Sequence, residues 1–310
     1  MTTIDIPNSV ISIGHSAFYE CSALSHITIP KSITHINDST FYKCSNLISV
    51  IIPDSITSIG DSAFNTCVKL RELILPNSVI NIGTRTFYWC LSLRKLTIPN
   101  SVISVGNGAF DACSNLKFTI HGNVKYLGNP ENPFMCLFLA DEAIPTYVIK
   151  DSCKFICDNA FKNCRNLEKV TIPNSVISIG DSSFSGCCAL SSLIIPNSVS
   201  HIGNYAFRGC KSITSLIIPN SVISIGSGAF SGCENISFLF IPKSVTSMGS
   251  MYFLNADKLV VRCEAEEMPT GWKREHYNGH LFYLGVVIID DIVYTITDKE
   301  DFKFSILGHI

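Results

Sequence analysis

Apolar and polar positions along this chain follow neither the helical nor the strand period alone, but a cycle of 23 residues. Pro7, Pro30, Pro53, Pro76 and Pro99 stand 23 apart, and the spacing resumes from Lys150 through Pro173, Pro196, Pro219 and Pro242. A phenylalanine keeps step in every cycle, eleven positions after the proline slot, from Phe18 and Phe41 to Phe230 and Phe253. The unit reads I-P-x-S-V-x-x-I-G-x-x-A-F-x-x-C-x-x-L-x-x-L-x. Its apolar spacings of two and three suit a coil whose corners all point inward and stack on the next coil. The L-x-x-L-x-I segment is the predicted strand, closed by the proline, which has no N–H to continue a ladder. The glycine slot (Gly14, Gly60, Gly83, Gly106, Gly180, Gly203, Gly226, Gly249, with Asn37 in the second cycle) is expected to be a left-handed corner. The following Asp, Asn, Ser or Thr is expected to cap one short helical or 3₁₀ turn over A-F-x-x-C. About eleven such coils, stacked at about 4.8 Å, would make a rod or arc on the order of 50 Å long.

The run I-P-N-S-V-I-S-I-G-D-S-S-F-S-G-C, residues 172–187, resembles the BspA-type (Treponema pallidum-type) leucine-rich repeat. The resemblance spans about residues 4–263 and implies a β-rich leucine-rich-repeat solenoid. Two stretches break the period. Leu116–Val124 has lost one residue, and Tyr126-Leu-Gly-Asn-Pro-Glu-Asn-Pro-Phe134 resembles an island found inside such arrays. Its turn residues predict a protruding excursion. It reads either as a joint between two sub-arrays or as a ligand-contacting loop. Residues 261–272 resemble the ending of the same arrays, so Trp272, Tyr277, Phe282 and Tyr283 are expected to plug the last coil. The expected organisation is a first sub-array over 1–121, an irregular inserted coil over 122–149, a second sub-array over 150–254, a C-terminal cap over 255–287 and a strand-like tail over 288–310. That tail reads as two strands around a charged turn. Ile4-Asp-Ile-Pro7 supplies only the end of a strand, so the chain is expected either to be a fragment of a longer reading frame or to lack its N-terminal cap.

Composition changes the picture less than the period does. Of 310 residues only 15% are charged, with a formal net charge of −2, which excludes a disordered chain and argues against a nucleic-acid footprint. The longest apolar run, Leu281–Ile289, is too short to cross a membrane as a helix. Fourteen cysteines raise the question of crosslinks or metal. Nine of them (Cys21, Cys44, Cys67, Cys90, Cys113, Cys164, Cys187, Cys210, Cys233) occupy one inward slot and read as a ladder of packing thiols. Parallel side chains point alongside one another rather than together, against disulfides, and no C-x₂-C pair suggests zinc. Cys188 is the expected exposed thiol. No metal or cofactor is expected, the histidines form no spaced cluster, and no nucleophile elbow, phosphate loop or metalloprotease helix appears. The chain is therefore expected not to be an enzyme.

The strand's third and fifth positions should face outward on a continuous sheet. A face meeting only water would be polar, yet Ile51, Ile74, Ile194, Ile217, Phe238 and Phe240 fall there. They are the candidate partner-binding residues; the competing reading is that they pack on one another or under the cap. A weaker second row comprises Ile11, Ile80, Ile103, Ile177 and Ile223, interrupted by Thr34, Thr57, Ser200 and Thr246. The family resemblance implies a protein ligand, an extracellular-matrix or other host protein, bound by a surface or secreted adhesin-like protein. The alternative is an intracellular interaction scaffold, since Met1–Asp5 opens with neither a basic start nor an apolar run.

Overall fold

A computed structural model describes residues 3–250 and 259–264 in full, and the strand backbones Leu281–Tyr283, Val286–Ile289, Ile292–Asp298 and Lys303–His309. The fold is a β-solenoid of about eleven coils of roughly 23 residues. The chain divides into two compact units, Met1–Phe138 and Leu139–Ile310. No helix occurs among the described residues.

Most coils contribute two short parallel strands. In the first unit the L-x-x-L-x-I segments supply Thr3–Ile4, His26–Thr28 and Ser49–Ile51, paired in that order, then Glu72–Ile74 with Lys95–Thr97. The V-x-x-I segments supply His35–Ile36, Ser58–Ile59, Asn81–Ile82 and Ser104–Val105, also parallel and in register. The second unit repeats both rows, from Thr146–Val148 with Lys169–Thr171 to Phe238–Ile241 with Val260–Cys263 and Leu281–Tyr283. Each of these parallel pairings is offset by about one coil, so within the regular repeats each side chain lies on its equivalent in the next one.

The A-F-x-x-C segment forms successive turns rather than the expected helical or 3₁₀ turn. Positive φ falls two and six residues after the glycine slot in each coil: Ser39 and Lys43, Ser62 and Thr66, Arg85 and Trp89, Gly228 and Gly232. A right-handed helix cannot contain such residues. The alternation aims every second amide along the stack. Ser39, Phe41 and Lys43 donate to Asp61, Ala63 and Asn65 of the next coil at 2.8 Å each, while Thr40, Tyr42 and Cys44 bond back within their own coil. The inter-coil bonds offset the roughly 1–2 kcal/mol cost of each left-handed residue.

The glycine slot is also corrected. None of its glycines has positive φ. They are required because the neighbouring backbone is too close: a Cβ on Gly83 would stand 2.5 Å from the carbonyl carbon of Gly60, and one on Gly203 would stand 2.6 Å from that of Gly180. Gly14 has no such neighbour. Where Asn37 replaces glycine, its side-chain Nδ2 donates to Ile13 O at 2.6 Å, in place of the backbone bond that Gly60 N makes to Ile36 O.

The residue after glycine is not a helix cap but a rung. Asp61, Thr84, Asp181, Asn204 and Ser227 each donate their backbone N–H to the Asp or Asn side chain of the coil before, at 2.6–2.8 Å. The serine of P-x-S-V makes a second rung, its hydroxyl reaching back to a carbonyl as in Ser55 to Ile33 and Ser198 to Val176, both 2.6 Å. Inside, the phenylalanines stack with ring centroids 5.2–6.1 Å apart over Phe41–Phe110 and 5.0–5.7 Å over Phe161–Phe230. Fully burying each such ring contributes about 1.5–3 kcal/mol.

The island at Tyr126 folds back rather than protruding. Thr119–His121 and Val124–Leu127 form an antiparallel hairpin across Gly122 and Asn123, both at positive φ. Tyr126 is fully buried, edge-on to Phe134 at 5.4 Å, and Asn129 Nδ2 donates to Ile98 O at 2.8 Å. At the C-terminal end, Trp272 and Tyr277 of the expected plug lie outside the described residues. The tail strands pair antiparallel, Val286–Ile289 with Ile292–Asp298 and the latter with Lys303–His309.

Two outcomes test this packing. Gly83→Ala and Gly203→Ala should each cost about 1–3 kcal/mol in denaturant unfolding, while Gly14→Ala should be near neutral. Equal costs would return the glycines to a conformational role. Ser183 is fully buried with an unsatisfied Oγ at a slot that holds alanine in six other coils, from Ala17 to Ala229, and threonine in two, where the Thr40 and Thr86 hydroxyls donate to Asn37 O and Gly83 O. Ser183→Ala should therefore stabilise by about 1 kcal/mol.

Candidate binding surface

Two kinds of candidate chemistry were legible in the repeat, the cysteine slot and the outward strand positions. The structure treats them oppositely.

All fourteen cysteines are free. Seven of the nine ladder thiols donate to the phenylalanine carbonyl of the preceding coil, as Cys67 does to Phe41 at 3.1 Å, Cys187 to Phe161 at 3.0 Å and Cys233 to Phe207 at 3.2 Å; Cys164, which follows the irregular coil, donates to Asp141 O instead. Burial pushes Cys44, Cys113 and Cys233 up to about 12, with Cys67, Cys90 and Cys210 well above the ordinary thiol value for the same reason. The thiolate is the nucleophile and metal ligand, so these groups are chemically quiet at neutral pH. Cys188 is only half-buried, as are Cys21 and Cys157. Among the described residues no three His, Cys, Asp or Glu side chains come together to hold a metal ion.

The outward strand positions divide between the units. In the first, Ile51 and Ile74 are each 63% exposed on adjacent coils, bracketed by Thr28 and Thr97 in register. Beside Thr97 and Pro99 a recess of about 370 Å³ is bounded by Asn129 and Glu131 of the island. In the second, Ile194 is 79% exposed and Ile217 is 42%, whereas Phe240 in the next coil is only 7%. Phe238 is half-buried. The expected stripe of four outward residues thus reduces to Ile194 and Ile217, with Phe240 a packing residue paired across to Arg262. The ladder is interrupted here: Ser192 keeps only an isolated bridge to Lys169. A groove of about 510 Å³ opens between the two coils, lined by Ser192, Ile194, Asn197, Thr214, Ser215 and Ile217.

The second row is exposed too, with Ile11, Ile80, Ile103 and Ile223 at 81%, 39%, 60% and 48%, while Ile177 is half-buried. Two of its polar members turn their hydroxyls back onto the coil before, Thr57 to Thr34 O at 3.2 Å and Ser200 to Ile177 O at 3.0 Å. Attention to inward slots missed a short aromatic row. Tyr19 and Tyr42, each directly after the phenylalanine slot, stack at 4.9 Å, with Lys43 over the Tyr42 ring. Their 23-residue spacing was the available signal.

Coils of this length with two parallel strands and an inward phenylalanine–cysteine spine define a leucine-rich-repeat solenoid. Family comparison agrees: residues 1–129 and 136–260 match the BspA type Leucine rich repeat region in six copies, and the chain belongs to that family. It is accordingly a protein-binding repeat scaffold. A comparison with curated proteins finds no match. Among solved structures it is similar to a leucine-rich cell surface protein from Faecalibacterium prausnitzii A2-165, at 24% identity over 91% of this chain and 90% of that one, with a TM-score of 0.44. A leucine-rich repeat protein from Bacteroides ovatus ATCC 8483 is 27% identical over 91% and 83%, with a TM-score of 0.41. The T. pallidum leucine-rich repeat protein is 25% identical over 61% and 78%, with a TM-score of 0.39.

Brief alkylation of the folded protein, read by peptide mass spectrometry, should label Cys188, Cys21 and Cys157 and spare the buried ladder from Cys44 to Cys233. Rapid labelling of Cys67, Cys90 or Cys210 would contradict the packing role.

Proposed function

We propose that this protein is a non-catalytic, adhesin-like scaffold of the cell surface that captures a host or matrix protein on its strand face. The observation that carries the reading is the exposure of Ile194 and Ile217, in-line on adjacent coils and lining one groove. Exposed isoleucines on successive coils form a patch whose desolvation by a partner is favourable. Serine and asparagine around them supply a polar rim, the arrangement that binding surfaces use to set orientation. Ile51 and Ile74 form the corresponding patch in the first unit. The surface location follows the family resemblance. No helix among the described residues is long and apolar enough to cross a membrane.

Fourteen free thiols support a second reading, an interaction scaffold in a reducing compartment. Fractionation of cells expressing the full reading frame separates the two: protease-accessible protein on intact cells supports the surface reading, and exclusively internal protein sinks it.

The binding reading has its own test. Ile194→Ser with Ile217→Ser should change thermal stability little and reduce capture on an array of extracellular-matrix proteins at least tenfold, about 1.4 kcal/mol. Phe240→Ser should instead destabilise by about 3 kcal/mol, as truncation of a buried ring does. A comparable stability loss from the isoleucine pair would show that those side chains pack rather than bind.

A further inference from the structure

The near-neutral net charge conceals a strong local imbalance. Residues 65–128 hold seven Lys and Arg against two Asp and Glu, in a chain whose formal net charge is −2. The solenoid sorts part of that excess into a line. Arg71, Arg94 and Lys117 are 23 residues apart and stack directly: Arg94 N donates to Arg71 O at 2.8 Å, and Lys117 N to Arg94 O at 3.0 Å. All three side chains are exposed, as is Lys95 beside Arg94. The adjacent acid is Glu72, in register with Lys95, and among the described residues no ion pair within 4.0 Å involves any of these five. Like charges repeating at about the inter-strand spacing of 4.8 Å repel, and the stack holds them together with Glu72 as the one adjacent carboxylate and no salt bridge among the described residues.

We propose that Arg71, Arg94 and Lys117 form a basic strip that binds a linear sulfated polysaccharide. The ligand must carry fixed anions in a row and need no hydrophobic pocket. An extended acidic peptide presents side chains on one face only every about 6.8 Å, out of step with the strip. A single-stranded nucleic acid gains much of its affinity from bases stacked on aromatic rings, and the strip has no aromatic member. A sulfated polysaccharide has anions on successive rings of a stiff chain, and guanidinium groups fork onto such oxygens in a bidentate way. The strip lies in the first unit and is independent of the protein-binding reading, so either can fail alone.

The test is surface plasmon resonance on immobilised heparin oligosaccharides. The wild-type chain should bind, and raising salt from 50 to 200 mM should weaken binding roughly 20- to 40-fold, as release of counterions from about three contacts requires. Arg71→Gln, Arg94→Gln and Lys117→Gln combined should lower affinity at least tenfold with melting temperature unchanged. Arg94→Gln alone, with a smaller loss, serves if the triple variant does not fold. Lys162→Gln, Arg165→Gln and Lys169→Gln remove the same charge from exposed positions in the second unit and should leave affinity within twofold. The proposal is overturned if wild type does not bind, if both triple variants weaken binding equally, or if chemically desulfated heparin, poly-glutamate or single-stranded DNA binds as tightly.

Discussion

The structure rests on one constraint: the backbone of each coil is satisfied by the next coil rather than by itself. Amides alternate in the turn segment, so Ser39, Phe41 and Lys43 bond forward while their neighbours bond within the coil. Buried backbone groups must be paired, and here the pairing demands an almost fixed translation from coil to coil. The glycine slot, the Asp and Asn rungs and the serine rungs follow from that translation. Each meets its own equivalent at close range, and only a residue type that suits the contact fits. Gly83 against Gly60 leaves no room for a Cβ; Asp61 Oδ1 meets the amide of Thr84.

The same translation removes chemistry from the cysteines and gives it to the surface. A buried thiol donating to a carbonyl, with its ionisation suppressed by burial, is a small apolar group with one satisfied donor. Its recurrence at 23 residues is a packing requirement. Outside, stacking turns sparse side chains into rows. Ile194 and Ile217 become an apolar pair, and Arg71, Arg94 and Lys117 a basic row of three. Neither row is a contiguous run in the sequence, because its members are a full coil apart.

Much of the fold was legible because repetition makes packing visible. A residue type returning at one slot, as Phe64, Phe87 and Phe110 do, must contact itself in the neighbouring coils. Backbone conformation was less legible. Glycine at a corner suggested positive φ, and Asp before A-F-x-x-C suggested a helix cap. Both were local explanations for residues whose partners lie 23 positions away. The left-handed positions lie two and six residues further on, where Gly228, Gly232 and Asn163 alternate with Ser39, Lys43, Arg85 and Trp89, types that carry no such signal alone. The candidate surface was legible only in part. Alternation correctly put Ile51, Ile74, Ile194 and Ile217 outward, but Phe240 is buried where Val260–Cys263 joins the sheet with a different sequence.

By itself the sequence determined the repeat length, the inward spine, the family and the fate of the ladder thiols, because periodicity implies self-contact whatever the coil's detailed path. Only the tertiary structure decided why glycine recurs, what the Asp and Asn side chains hold, and which outward residues stay exposed. Those depend on distances between neighbouring coils, set by inter-coil hydrogen bonding and by the particular neighbour each coil receives.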